Sequence, residues 1–364
     1  MFTRTRGAVF AVATFAAVTS LFILAPAAAR GGLTAVVPSA QPAAPVMPVA
    51  AGALGDSLVD EYQFATDTAT AGGDRRTAKN FVEILAETGR INVGTFTTAD
   101  RGEPRLQGYE RNWGRSGART IDLTPQVAGL ASQAAAGQVA LAFVEVGGND
   151  FRDLASALAA GDPSVDPASA TTAALARTVG SAQALLAANS ALRVVVGNVP
   201  DITLTPGAQL ALSANPALAP AFAQVSGAID QYNAVLAAQL SADPRVAVAD
   251  VNAALKAVVA APSAAVPGVV IDPLVPSSDP THLFVDLIHP GTVGSALLAN
   301  AFIDAADTAF DMGIDPLTAS DIRAASGLGG GGPSAVPLPP AGWVGLMTLG
   351  GMAAAEVRRR RRAA

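Results

Sequence analysis

Apolar positions in the middle of the chain fall into two alternating kinds of run. Short apolar runs occur at "VALAFVEV" (139–146), at the start of "LRVVVGNVPD" (192–201), which then reads as loop, and at "VAVADV" (246–251), with a weaker one at "VAAGAL" (49–54). An unbroken apolar run of this length predicts a strand buried on both faces. Between them lie segments whose apolar residues recur at helical spacing: "TAKNFVEILAE", "TPQVAGLASQAAAG", "TTAALARTVGSAQALLAANS", "AFAQVSGAIDQYNAVLAAQL" and "PGTVGSALLANAFIDAADTAF". The last is expected to open at Pro290, since proline suits a first helical turn. Strands alternating with helices predict an α/β domain, a parallel sheet covered on both faces, over about residues 46–323. Ligands of such sheets bind at the carboxyl ends of the strands, so residues just after each strand carry the functional expectation.

Composition agrees with a large core and narrows the chemistry. The chain has 364 residues, 51% hydrophobic and 14% charged, with a net charge of -6. Nothing in that balance offers the basic face that nucleic acid requires. There is no cysteine, which excludes disulfides, thiolate metal sites and a cysteine nucleophile. Only His282 and His289 are available for imidazole chemistry. No metal cluster or cofactor motif stands out.

Both ends depart from the globular pattern. Residues 1–29 combine Arg4 and Arg6, an apolar stretch from Ala8 to about Ala25, and the small residues Ala27-Ala28-Ala29. That order predicts a cleaved export signal. A Pro/Ala-rich linker covers 30–45. Beyond the domain come a glycine-rich linker (324–335), "VPLPP" (336–340), an apolar stretch, and the arginines Arg358 to Arg362. The apolar stretch is at the short limit for a membrane-spanning helix, and the arginines would stay cytoplasmic. With Val336-Pro337-Leu338-Pro339-Pro340 at its head, this tail (336–364) resembles the PEP-CTERM sorting signals of Gram-negative-type bacteria, its fifth motif residue departing from the Val-Pro-Leu-Pro-Ala variant. The resemblance implies an exosortase-type protease as partner and transient membrane contact through the tail. It places the protein at the cell surface, in the extracellular matrix or in the periplasm.

Three places after expected strands carry chemistry. Gly55-Asp56-Ser57-Leu58 follows the weak first strand. There Ser57 reads equally as a nucleophile at a tight turn and as a helix cap, with Asp60 completing a capping box. Gly147-Gly148-Asn149-Asp150 follows the next long strand, and Asn149 offers a neutral amide donor for an oxyanion. Read locally, it is also an ordinary Gly/Asn turn. In "VDLIHPG", Asp286 stands three residues before His289, a spacing that brings carboxylate and imidazole together. Asp279 and His282 have the same spacing. The apolar approach and the following Pro290 favour the second pair.

Taken together, these blocks resemble the GDSL/SGNH hydrolase family over about residues 54–309. Gly55-Asp56-Ser57-Leu58 is similar to its nucleophile block, "NWGRSGART" (112–120) to its second, Gly147-Gly148-Asn149-Asp150 to its third, and Asp286-Leu287-Ile288-His289-Pro290 to its last. The resemblance implies a flavodoxin-like three-layer α/β/α sandwich and hydrolysis of carboxylic esters, of lipid or of acylated glycan. Ser57 would then be the nucleophile, His289 the base and acid, and Asp286 its orienting partner. The oxyanion hole would be the N–H groups of Ser57 and Gly117 with the Asn149 side chain. A polysaccharide O-acetyl esterase and a non-catalytic surface or matrix protein are the alternatives. Arg101, Arg105, Arg111, Arg115 and Arg119, near Tyr109 and Trp113, read as a solvated loop or as a face for an anionic substrate.

Overall fold

The computed structural model describes residues 47–61, 76–102 and 107–328. The expected export signal, the 30–45 linker, residues 329–335 of the glycine-rich linker, the sorting tail and Arg105 lie outside the described residues, whereas 324–326, expected as linker, belong to α10. In chain order the elements are β1 (Val49–Gly55), α1 (Phe81–Glu87), β2 (Ile91–Asn92), β3 (Phe96–Thr97), β4 (Gly108–Tyr109), α2 (Thr124–Ala135), β5 (Leu141–Glu145), α3 (Gly148–Ala159), α4 (Pro167–Ala188), β6 (Arg193–Gly197), α5 (Pro206–Ala214), α6 (Ala219–Leu240), β7 (Val246–Ala249), α7 (Val251–Ala260), α8 (Pro262–Ala265), α9 (Thr292–Phe310) and α10 (Ala319–Ser326).

Five strands form one sheet in the order β2-β1-β5-β6-β7. All four pairings are parallel. Numbered within this sheet the order is 2-1-3-4-5, the flavodoxin-like arrangement, with its switch point between β1 and β5. β3 and β4 form a separate antiparallel pair. Because successive strand residues face opposite ways, each strand feeds two cores. Ala51, Ala53, Leu141, Phe143, Val195 and Ala249 join α1, α7, α9 and α10 on one side. Leu54, Ala142, Val144, Val194, Val196 and Val246 join α2, α4 and α6 on the other. The expected three-layer sandwich follows directly from this alternation.

The weak first strand is real, and its small residues have a cause. A Cβ on Gly52 would come within 2.3 Å of Leu130 Cδ1, so α2 lies directly on the strand backbone. On the opposite side Phe81 stacks on Phe302 at 4.4 Å, while Phe143 meets both edge-on. This ties α1 and α9 to the centre of the sheet.

Local chemistry sets several helix boundaries differently from the periodicity. α1 starts at Phe81 because Asn80 accepts from the Glu83 amide and the Glu83 side chain accepts from the Asn80 amide. α9 begins at Thr292 after Gly291 as its cap, so Pro290 stands outside the helix and not in its first turn. The Gly147-Asn149 stretch is no isolated turn: Gly147 caps α3 and Asn149 lies in its first turn. α10 spans position 323, where the domain was expected to end. Among the described residues no helix is long and apolar enough to cross a membrane.

Candidate active site

Ser57 sits at the carboxyl end of β1, beside the end of β5, where the strand order reverses. The turn that lifts it there depends on Gly55. This residue has φ +152°, and a Cβ would fall 1.8 Å from the Glu145 carbonyl oxygen. No side chain fits that space, so the strand closes against β5 at a glycine. Ser57 does not cap a helix within the described residues. A single turn closes from the Asp56 carbonyl to the Asp60 amide at 2.9 Å, and Asp56 Oδ1 accepts the Leu58 amide at 3.0 Å. The expected capping partner, Asp60, turns Oδ2 to the Ser116 amide at 2.7 Å. Asp56 therefore organises the turn and leaves the Ser57 hydroxyl outside it.

That hydroxyl meets His289, 2.9 Å from Oγ to Nε2. The other ring nitrogen, Nδ1, lies 2.9 Å from Asp286 Oδ2. Asp286 and His289 share one short loop, closed by the Val285 amide donating to the His289 carbonyl at 2.9 Å. Asp286 Oδ1 accepts the Ile288 and His289 amides at 2.8 and 2.7 Å. Burial alone would raise the Asp286 pKa; the His289 hydrogen bond and charge, with these amides, hold it below the usual carboxylate value. With Nδ1–H directed at a carboxylate, Nε2 is left as the acceptor for the serine proton. Ser57 and His289 are both buried, at 8% and 7% exposure, which limits water at the pair.

The second and third blocks converge on the same sheet edge. Asn149 Nδ2 donates to the Ala118 carbonyl at 2.9 Å, next to Gly117. An amide nitrogen carries two hydrogens, so one remains for a ligand. Asp150 holds the same loop, accepting the Thr120 amide at 2.9 Å and its hydroxyl at 2.7 Å. Among the described residues neither the Ser57 nor the Gly117 N–H meets an acceptor.

Comparison with known proteins fits this geometry. The family model described as GDSL-like lipase/acylhydrolase matches residues 52–302. The chain belongs to that family. Solved structures similar to this GDSL-like hydrolase are distant. A lipase from a goat rumen metagenome is 15% identical, with 70% of this chain and 96% of that one covered and a TM-score of 0.43. A member of the lipolytic G-D-S-L family from Veillonella parvula is 16% identical, with 72% and 98% covered and a TM-score of 0.38. A variant of an acetyl xylan esterase from Geobacillus stearothermophilus is 16% identical, with 70% and 93% covered and a TM-score of 0.37. No curated protein matches the chain.

Beneath Ser57 of this GDSL-like hydrolase lies a carboxyl pair that no motif points to. Asp56 and Glu145 are buried at 3% and 2% exposure and hydrogen-bond to each other. Burial pushes Asp56 up to about 6. Burial, then the charge of Asp56 and the bond to it, pushes Glu145 well above the ordinary carboxyl value. Burial thus favours the protonated form of both carboxyls. Glu145 hides within an apolar strand, and only its place at the strand end next to Asp56 hints at this.

Gln126 was also not singled out by motif. Its Oε1 accepts the Gly55 amide at 2.8 Å and its Nε2 donates to the Gly55 carbonyl at 3.0 Å. The arginines largely serve the fold. Arg101 donates to the Thr95 and Gly108 carbonyls. Arg111 donates to Gln138 and Asn92. Arg119 pairs with Asp122 and Asp153. Trp113 covers Gly129 and donates to Gln133 at 2.9 Å.

Proposed function

We propose that this family member is a serine hydrolase of carboxylic esters. The observation that carries the reading is the continuous chain of hydrogen bonds from Ser57 Oγ to His289 Nε2, and from His289 Nδ1 to Asp286. In the proposed reaction Ser57 attacks the acyl carbon while His289 takes its proton. Negative charge on the carbonyl oxygen is held by the N–H groups of Ser57 and Gly117 and by the Asn149 amide. His289 protonates the departing alcohol, takes a proton from the water that attacks the acyl carbon, and returns it to Ser57 Oγ as the acyl–Ser57 bond breaks.

Short-chain chromogenic esters and a serine-directed fluorophosphonate test this directly. The protein should turn over the ester and be labelled at Ser57, and Ser57→Ala should lose both. A folded wild type that the probe leaves unlabelled defeats the proposal and favours a non-catalytic surface role. For the wider setting we keep the expectation of an exported protein delivered to the cell surface by an exosortase-type protease. Basic n-region, apolar stretch and small-residue site support export, and the Pro-rich motif, apolar stretch and arginine run support sorting. Deleting residues 336–364 should move the protein from surface to soluble fraction; unchanged fractionation counts against sorting.

A further inference from the structure

The edge of β1 away from β5 is paired irregularly, and the irregularity points to Gln126. Up to Ala53 the segment 111–113 runs beside β1 as a parallel partner: the Ala53 amide donates to the Arg111 carbonyl at 2.9 Å, and the Trp113 amide donates to the Ala53 carbonyl at 2.8 Å. One step further, a continuous ladder would pair the Gly55 amide with the Trp113 carbonyl and the Gly55 carbonyl with the Arg115 amide. Only the second bond forms, at 3.0 Å. The Gly55 amide is taken instead by Gln126 Oε1, and Gln126 Nε2 adds a second donor to the Gly55 carbonyl. The rung is missing where segment 111–115 leaves β1 to reach Gly117.

Gln126 is itself rigidly held. It lies in the first turn of α2, at 1% exposure. Leu130, one turn later on the same face, packs against Gly52. We infer that Gln126 is a positioning residue: its amide replaces the lost ladder rung, fixes the Gly55 peptide, and so sets Ser57 against Gly117 across the oxyanion hole. The inference rests on the proposed esterase reading, because only an acyl transfer reads the spacing of those two N–H groups. A misplacement of about 1 Å at such a site costs on the order of 100-fold in rate.

Two variants of the full-length protein test it. Gln126→Leu removes both donor and acceptor. It is expected to lower kcat about 10- to 100-fold while leaving KM within about threefold, the signature of an interaction used only in the transition state. Gln126→Glu restores the pattern only when protonated, when its C=O accepts from Gly55 and its O–H donates to it. Its kcat relative to wild type should therefore be near wild type at about pH 5.5 and fall by about pH 9 as the carboxyl ionises. Asp56, Glu145, Asp150 and His289 are the titratable groups nearby in both proteins, so the ratio to wild type isolates the effect of the introduced carboxyl. Unfolding of each variant is followed at the same pH values, since a purely structural loss would lower stability without a pH-dependent kcat ratio. A folded Gln126→Leu protein with unchanged kcat, or a Gln126→Glu ratio that stays flat with pH, overturns the inference. These results are distinct from failure of the esterase reading, in which the wild type itself resists the fluorophosphonate.

Discussion

Two Asp-x-x-His segments lie close together in the chain, Asp279–His282 and Asp286–His289, and only the second makes a carboxylate–imidazole pair. In the first, Asp279 Oδ1 accepts both the amide and the hydroxyl of Thr281, at 2.8 and 2.6 Å. His282 turns its Nδ1 to the Val275 carbonyl instead, at 2.6 Å. In the second, the position equivalent to Thr281 is Ile288, which has an amide but no hydroxyl. Asp286 Oδ1 collects the two backbone amides, and Oδ2 is left for the ring. Identical spacing thus gives different chemistry: in the first segment a short hydroxyl side chain bonds the carboxylate locally, while the imidazole is held by a backbone carbonyl. The tertiary setting reinforces the difference: His289 is anchored at the head of α9, whose Thr292 amide donates to the Thr77 carbonyl at 3.0 Å.

Substitutions can break this comparison in order of decreasing effect. His289→Ala should lower kcat by at least about 10⁴-fold, whereas His282→Ala should stay within about twofold; comparable losses would mean the wrong histidine has been assigned. Asp286→Asn should cost on the order of 10³-fold in kcat with little change in KM, since it keeps the shape and loses the charge that orients the ring. The matching Asp279→Asn change serves as its control. Ile288→Thr carries the competing hydroxyl into the second segment and should cost about tenfold; full activity would show that anchoring by α9, not local competition, decides the pairing.

The carboxyls around the two histidines also differ in burial. Asp272 and Asp279 are held below their ordinary value, chiefly by hydrogen bonds from Val275 and Leu274 and from Thr281. Asp56 feels the charge of His289 but is buried, and burial wins, raising it from 3.8 to about 6. The folded state then binds more protons than the unfolded chain between those values, so this group's contribution to stability is fully present below pH 3.8 and is lost as pH rises through about 6. Glu145→Gln removes a carboxyl whose own pKa burial raises, so the total decline should flatten, while the part set by the burial of Asp56 remains. Denaturant unfolding at several pH values measures it, and an unchanged pH slope would mean that the Glu145 carboxyl does not contribute to it.

Much of this was legible along the chain. The unbroken apolar runs located β5, β6 and β7, since strands covered on both faces need no polar face. The glycine, serine, asparagine and histidine blocks fell where a parallel sheet exposes its strand ends. Other features were hidden because their cause is not local. β1 looked weak because its residues are small, and they are small because α2 lies against them. The turn at Asp56 has no repeating pattern, and Ser57 resembled a cap because caps and turn serines share the same neighbours.

By itself the sequence determined the alternation of elements, the family blocks and two competing Asp/His spacings, all of which are set by neighbours along the chain. The tertiary structure decided which histidine reaches Ser57, that Asp56 and Glu145 are buried together beneath it, and that Gln126 completes the edge of β1. Each of these depends on groups brought together from distant parts of the chain and removed from water, where one hydrogen bond or one buried charge outweighs local preference.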